Sequence, residues 1–247
     1  MVHLSAVDTR HHGHCDCGDL CNGCEARALS VCGSLEDEAF TGLQKLNHPI
    51  NFPARSVLFN QETPVRHVFT VVHGVVRLYK LLPDGRRQIV GFALPGDFLG
   101  LALADGYGFC ADAVTAVTVC RFSRDTFGDY ADTHPQMLRR LHDMATHELA
   151  LAQQQMVLLG RRDAEEKLAS FLLGLQKRWA RISGKSSVTI DLPMGRQDIA
   201  DFLGLTIETV SRTLNRMARD KLIVIVPDGV RVMEPQLPAL GGGLRDP

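Results

Sequence analysis

The pattern of apolar residues changes abruptly at Pro135, and this change limits the chain to few architectures. Upstream, from about residue 56 to residue 123, short β-branched runs alternate with turn signals. The run Val75–Leu81 is followed by Pro83-Asp84-Gly85, a turn in which proline presets φ and glycine permits a positive φ. Short strands at this spacing predict a small antiparallel roll or barrel.

Downstream of Pro135 the apolar residues follow a helical period as far as about Leu159. Spacings of three and four persist over three heptads, which is typical of a helix that packs against a copy of itself. The alternative is a helix that lies across the roll. The predicted dimer-interface residues are Leu138, Leu141, Ala145, Leu149, Ala152, Met156 and Leu159.

The last third of the chain predicts a pair of short helices. Residues 196–203 form the first, and Gly204 can end it by adopting the left-handed conformation. Thr206 can then cap a second helix, whose buried face would include Ile207. Two helices joined by a tight glycine-containing turn form a helix-turn-helix, and residues 222–233 predict a two-stranded wing after it.

The outward face of the second helix suits the reading of base edges. Arg212 can donate two hydrogen bonds to guanine, Glu208 can accept one from a base amino group, and Ser211 can contact either kind of edge. With 247 residues and a net charge of −1, the chain is no polycation, so positive charge for DNA must be local. The alternative is a solvated polar face. The predicted DNA-contacting residues are Arg196, Thr206, Glu208, Thr209, Ser211, Arg212, Asn215 and Arg216.

Seven cysteines are present, and five of them lie within the first 32 residues. The chain has no apolar leader and no run of 18 apolar residues, so we expect a cytoplasmic protein with no membrane segment and with reduced thiols. In that compartment the crowding favours a metal site over disulfides. We expect Cys15 and Cys17 to belong to a solvated tail and Cys110 to lie in the core.

The spacing of the remaining cysteines is that of a ligand set. Cys21, Cys24 and Cys32 follow a Cys-x2-Cys-x7-Cys pattern, and Cys120, at the end of a predicted strand, is a plausible fourth ligand. Four thiolates can hold a zinc ion or an iron–sulfur cluster, and ligand count does not separate the two. The three-plus-one distribution favours a cluster.

Two stretches of the chain resemble the CRP/FNR superfamily of transcription regulators. They are the roll segment 83–100 and the helix pair 196–212. The resemblance covers about residues 20–235 and is closest to the alpha-proteobacterial FnrN/FixK/AadR group. It implies an α+β fold: an N-terminal antiparallel β-roll like that of cyclic-nucleotide-binding proteins, a long dimerisation helix and a C-terminal winged helix-turn-helix.

The resemblance also implies a function. Glu208-x-x-Ser211-Arg212 matches FNR-type readers, which implies a palindromic DNA site with the half-site TTGAT. The ligands of an oxygen-labile [4Fe–4S] cluster carry over to Cys21, Cys24, Cys32 and Cys120. In this scheme the intact cluster favours the homodimer, which binds double-stranded DNA and recruits RNA polymerase, and oxygen ends that state.

Two alternatives stay open: a cluster-free, FixK-like regulator and a zinc-stabilised interaction module. No arginine between Leu99 and Cys120 could neutralise a phosphate, so we expect no cyclic nucleotide. No nucleophile–base pair or glycine-rich phosphate loop indicates an enzyme.

Gly160 interrupts the helical pattern and Asp163 is a candidate N-cap, so the domain boundary is placed between them. The expected layout is a cysteine-rich cluster-binding segment at 1–34, a β-roll sensor domain at 35–134, a dimerisation helix at 135–160 and a winged-helix DNA-binding domain at 161–247.

Overall fold

The computed structural model describes residue 21, residues 23–100 and residues 105–233, with the side chain of Arg161 left aside. Within these ranges the predicted α+β architecture is confirmed. The first domain is a roll of two four-stranded antiparallel sheets, ordered β1-β8-β3-β6 and β2-β7-β4-β5. Its strands are β1 (His48–Phe52), β2 (Val57–Phe59), β3 (His67–His73), β4 (Val76–Leu81), β5 (Arg87–Ala93), β6 (Phe98–Leu99), β7 (Cys110–Ala113) and β8 (Val117–Ser123).

The two sheets enclose an apolar interior. Phe59 stacks on Tyr107 with ring centroids 4.0 Å apart, and Val71 and Val119 are fully buried. Strand β7 ends at Ala113 and β8 begins at Val117, because residues 114–116 turn between the two sheets. Thr115 accepts a hydrogen bond from the backbone N–H of residue 75 there, at 3.0 Å.

Three short helical segments, none of which the sequence predicted, cover the end of the roll that carries the cysteines. They are a 3-10 helix (Val31–Ser34), α1 (Asp37–Leu46) and α2 (Arg124–Asp132). Phe40 and Leu43 of α1 and Phe127 of α2 pack with Phe122 of β8 in one cluster. Each segment is too short to give a sustained period in the sequence, and packing on the roll stabilises it.

The long helix α3 (Pro135–Arg161) continues through Gly160, which was expected to end it. Leu141 is only 9% exposed and lies in the core of its own chain, beside Met137 and Phe127. Its place in the predicted dimer seam therefore needs correction: it packs on the roll. The other predicted seam residues are exposed: Leu138, Ala145, Leu149, Ala152, Met156 and Leu159.

The second domain is a winged helix. Its helix α4 (Ala164–Ser183) begins with a capping box, in which the Asp163 carboxylate accepts from the backbone N–H groups of residues 165 and 166, each at 2.9 Å. The wing strands β10 (Ile223–Val226) and β11 (Gly229–Val232) pair as expected, and β9 (Thr189–Asp191), which was not predicted, adds a third strand on β11. Over the described residues, no helix is both long and apolar enough to cross a membrane.

Candidate functional site

The helix pair forms as the sequence predicts. Helix α5 (Arg196–Leu203) ends at Gly204, whose φ of 62° is left-handed, and α6 (Ile207–Arg219) follows directly. The hydroxyl of Thr206 accepts a hydrogen bond from the backbone N–H of Thr209 at 3.2 Å. This cap fixes where α6 begins and therefore which of its residues face outward. Fully buried Val210 packs α6 into the domain core with the apolar side of α5.

The structure brings the predicted reading residues together on the outer side of α6. Glu208, Arg212 and Asn215 are exposed, and Thr209 and Ser211 are half-buried. Together with Arg219 and with Arg196 at the start of α5, they make a polar surface with several cations. This distribution gives a chain of net charge −1 a local site for an anionic partner. Ile207, expected on the buried face, is 38% exposed.

The two arginines at the edge of the reading surface already bind within the chain. Arg196 donates a hydrogen bond to the hydroxyl of Ser211 at 3.2 Å, which links the start of α5 to the reading surface. Arg216 pairs with Glu165, at the start of α4, with a nitrogen–oxygen distance of 2.6 Å. Arg216 is half-exposed, so this ion pair is screened and weak, and the guanidinium can still turn to a phosphate.

The four predicted ligand cysteines lie near one another at the end of the roll that α1 and α2 cover. Cys21 and Cys24 lie in the segment before the 3-10 helix, Cys32 lies within it, and Cys120 lies in the middle of β8, between Pro49 of β1 and Thr70 of β3. Its predicted position at a strand end is thus wrong. Cys21 and Cys32 pack against the apolar cluster that contains Cys120.

Burial and mutual proximity shift the acidities of these thiols. The pKa of Cys32 is raised to about 11, mainly by burial and in part by the nearby charges of Cys24 and Cys21, whereas a hydrogen bond from Ser30 opposes the shift. Burial also raises the pKa of Cys120, with added contributions from Cys32, Cys21 and Cys24. Cys32 and Cys120 therefore lie close enough to Cys21 and Cys24 for these thiols to influence them. The raised pKa values favour the neutral thiols of Cys24, Cys32 and Cys120 unless a positive charge joins the group.

The donor set fits a thiolate-ligated metal centre. Soft sulfur ligands beside an apolar cluster are typical of zinc and iron–sulfur sites. Among the residues that the structure describes, no three Cys, His, Asp or Glu side chains stand close enough to hold a metal ion as they are placed. Cys15 and Cys17 lie outside the described residues, and Cys110 is buried in the roll, as expected.

The cysteine segment contacts both the long helix and a roll turn. Arg140 of α3 donates hydrogen bonds to the carbonyl oxygens of Leu29 at 2.7 Å and Ser30 at 3.4 Å. Gly96, with a φ of 97°, approaches Leu29 so closely that a Cβ there would lie 2.6 Å from the Leu29 Cβ. These contacts were not predicted, since no sequence signal relates residues this far apart.

Charged contacts between the roll and the winged helix were also missed. Asp97, in the turn between β5 and β6, forms an ion pair with Arg178 of α4. Arg77 and Arg87 of the roll pair with two aspartates of α5, Asp198 and Asp201. From a single sequence, charged residues of this kind are interpreted as solvated, because their partners are distant in the chain.

A β-roll followed by a long helix and a winged helix with an exposed, cationic reading surface defines a DNA-binding transcription regulator. Residues 49–134 match the cyclic nucleotide-binding domain family, and residues 166–240 match the Crp-like helix-turn-helix domain family. The chain belongs to the CRP/FNR family of transcription regulators, and it is not an enzyme.

Its relatives include two activators or regulators from alpha-proteobacteria. It is 54% identical to the transcriptional activatory protein AadR of Rhodopseudomonas palustris, over 96% of this chain and 97% of that protein. It is 48% identical to the nitrogen fixation regulation protein FixK of Bradyrhizobium diazoefficiens, over 88% and 92% of the two chains. Among solved structures, FixK2 from Bradyrhizobium japonicum matches with a TM-score of 0.74 at 34% identity, covering 81% of this chain and 99% of that one.

Proposed function

We propose that the chain is an oxygen-responsive activator that binds a TTGAT-type palindrome as a homodimer. In this proposal Cys21, Cys24, Cys32 and Cys120 hold a [4Fe–4S] cluster. The observation that carries it is the convergence of four cysteines from separate parts of the chain on one side of the roll. Neither a palindrome reader nor a stable roll needs such a set.

When bound, the cluster would supply the group that is sensitive to oxygen. The protein supplies the rest. The four cysteines join the segment before the 3-10 helix to β8, so a bound centre would order that segment against the roll. Through Leu29 and Ser30 the same segment accepts hydrogen bonds from Arg140 of α3. Ordering of the cysteine segment is therefore connected, through Arg140, to the position of the long helix α3.

The exposed apolar side chains of the long helix α3 support the proposed homodimer. Leu149 and Met156 are 59% and 70% exposed on α3, and single chains rarely leave an aligned apolar stripe in water. Packing the stripe against a second copy would bury it and would place two reading helices side by side. Two readers related by a twofold axis match the two half-sites of a palindrome.

On DNA, Arg212 is the residue proposed to contact guanine, with Glu208 and Ser211 beside it. Arg196, Thr206, Thr209, Asn215 and Arg216 would contact neighbouring bases or phosphates. A few kcal/mol of difference in stability between the two states, about 5.5 kcal/mol for a complete change, would be sufficient to switch the population. An activator of this kind would then act through RNA polymerase.

The test is purification without oxygen, followed by iron and sulfide analysis and a visible spectrum before and after exposure to air. DNA binding is measured in parallel on a TTGAT palindrome and on a scrambled duplex. We expect bound iron and sulfide, a visible band that bleaches in air, and weaker palindrome binding afterwards.

Two other results would contradict the proposal in different ways. A colourless, iron-free protein that binds the palindrome equally with and without air would be a cluster-free, FixK-like regulator. Stoichiometric zinc without iron, together with no preference for the palindrome, would identify a zinc-stabilised interaction module.

A further inference from the structure

The first helix of the reading pair is clasped to the β-roll of its own chain by arginines. Arg87 of β5 donates to Asp198 at 2.9 Å and to Asp201 at 2.8 Å, both on α5. Arg77 of β4 donates to Asp198 at 2.6 Å and holds Asp112 of β7 by two hydrogen bonds, at 2.9 and 2.6 Å. We call these five residues the clasp.

The clasp is shielded from water. The side chains of Arg77, Asp112 and Asp198 are between 11% and 16% exposed, and those of Arg87 and Asp201 are 27% and 17% exposed. Charged pairs in this setting are screened much less than surface pairs, and removing one partner leaves a poorly hydrated charge behind. Burial alone would lower the pKa of Arg77, but its hydrogen bonds and the charges of Asp112 and Asp198 outweigh that effect and raise the pKa.

Apolar contacts continue the same interface. Asp198, Asp201 and Phe202 are spaced by three and four residues, so they share one face of α5. The ring of Phe202 lies 5.6 Å from that of Phe92 of β5 and 5.5 Å from that of Phe171 of α4. Gln88 adds a hydrogen bond at 2.5 Å to the carbonyl oxygen of Asp201. Helix α5 is therefore held by charge, ring packing and backbone contact together.

The clasp leaves the reading surface open. Glu208, Arg212 and Asn215 on α6 are exposed while the clasp is closed. Helix α5 carries α6 rigidly, because Leu203 and Val210 are fully buried in their shared core. Fixing α5 on the roll consequently fixes the direction in which α6 points, without covering any residue proposed to contact DNA.

We infer that the clasp makes Arg87 and Arg77 positioning residues for DNA recognition, which set the distance and angle between the two reading helices of the dimer. The inference rests on the proposed palindrome reading. Two half-sites one helical turn apart demand a fixed spacing between the two reading helices. Winged-helix domains that could rotate on the roll would have that spacing only part of the time. Apparent affinity for the palindrome would then fall in proportion to the competent fraction, whereas affinity for one half-site would not.

The experiment uses the full chain, purified and kept without oxygen, and compares Arg87→Ala with wild type on three kinds of duplex. They are a single TTGAT half-site, a series of palindromes whose spacers differ by one base pair, and a scrambled duplex. Arg86→Ala is the matched control, because Arg86 is the neighbouring arginine of the same hairpin but pairs with Asp84, away from α5. Arg87→Lys tests rescue, since a lysine keeps one charge contact but not the forked one.

For Arg87→Ala we expect a loss of about tenfold on the best-spaced palindrome, equivalent to about 1.4 kcal/mol. Half-site affinity should stay unchanged, and the preference for one spacer length should become weaker. Arg87→Lys should recover part of both properties, and Arg86→Ala should match wild type. A merely structural role would lower half-site binding as well and would leave the spacer preference intact.

Other outcomes overturn the inference. Unchanged palindrome affinity and spacer preference would mean that the clasp does not set the geometry of the dimer. A gain in palindrome affinity would mean that the clasp holds the winged-helix domains away from the position in which they read DNA. If wild type itself does not distinguish the half-site from the scrambled duplex, the proposed function fails, and that result is independent of Arg87.

Discussion

The helix pair that faces DNA and the cysteine site on the roll are built in opposite ways. The reader lies within residues 196–219, and each of its main features comes from a neighbour in sequence: the Thr206 cap, the turn at Gly204 and the outward position of Arg212. The cysteine site joins residue 21 to residue 120 and exists only because β8 brings Cys120 under the N-terminal segment. Local chemistry therefore specifies the reader, whereas the fold as a whole specifies the cysteine site.

This difference has a functional consequence. Because the reader is specified locally, it can keep its structure while the cysteine site changes. A regulator that switches between two states requires this independence. Changes at the cysteines should therefore alter whether the protein binds DNA but not which bases it prefers. The four predictions that follow test this separation.

The largest effect is expected at Cys120. Replacing it with serine removes one of four proposed ligands and leaves a hydroxyl that is a poor partner for iron, so nearly all bound iron and sulfide should be lost. Binding to the palindrome should weaken, but the ratio of affinities for TTGAT and mutated half-sites should not change. Iron analysis and titrations of labelled DNA measure the two properties.

Cys110→Ser is the control for Cys120→Ser, because Cys110 is also buried in the roll but belongs to no proposed ligand set. It should keep wild-type iron content. If Cys120→Ser also kept its iron, the site would have to be built without β8.

The pH dependence of metal binding should be steep. Since the pKa of Cys32 is raised to about 11, this thiol is protonated across the neutral range and must release its proton to become a ligand. Affinity for Co²⁺, used as a spectroscopic probe of the reduced and metal-free protein, should therefore rise with pH, by about tenfold per unit for each such thiol. Half-site DNA binding by the same sample should vary little over that range. A Co²⁺ affinity independent of pH would show that the buried thiols are not ligands.

At the reader, Arg212→Ala should cost about 1–3 kcal/mol on the preferred sequence, because it removes two hydrogen bonds to one base. Specificity at that base should relax, and iron content should stay the same. Arg219→Ala is the comparison variant, because Arg219 is an exposed cation that we expect to contact only phosphate. Its loss should weaken binding to all sequences alike and reduce the salt slope by about one. If Arg212→Ala lost the same affinity for every sequence, Arg212 would not be a base-recognition residue.

The smallest effect is expected at the cap of α6. Thr206→Ala deletes the acceptor of the Thr209 N–H and should lower the free energy of unfolding by about 1 kcal/mol. Thr206→Ser retains the hydroxyl and should be close to wild type. Thermal unfolding of the two variants measures the difference, and equal stabilities would mean that the observed 3.2 Å hydrogen bond contributes nothing measurable.

The sequence by itself determined the class of fold, the helix-turn-helix and the candidate ligands. It could do so because turns, caps and helical periods depend on residues a few positions apart: Gly204 must adopt a positive φ, and Asp163 must accept from N–H groups just after it. For the same reason Cys21, Cys24 and Cys32 were recognisable from their spacing, whereas Cys120, which is distant in sequence, was placed at the wrong point of its strand.

Only the tertiary structure decided which apolar and charged residues find partners within the chain. Leu141 has the same helical period as Leu138, yet it is buried against α2 while Leu138 stays 42% exposed, because one side of α3 lies on the roll. Arg86 and Arg87 are adjacent, but Arg86 lies in the turn before β5 and pairs with Asp84, whereas Arg87 begins β5 and pairs with α5. Arg87 and its partners on α5 are separated by more than a hundred residues, and no local preference of the backbone connects them.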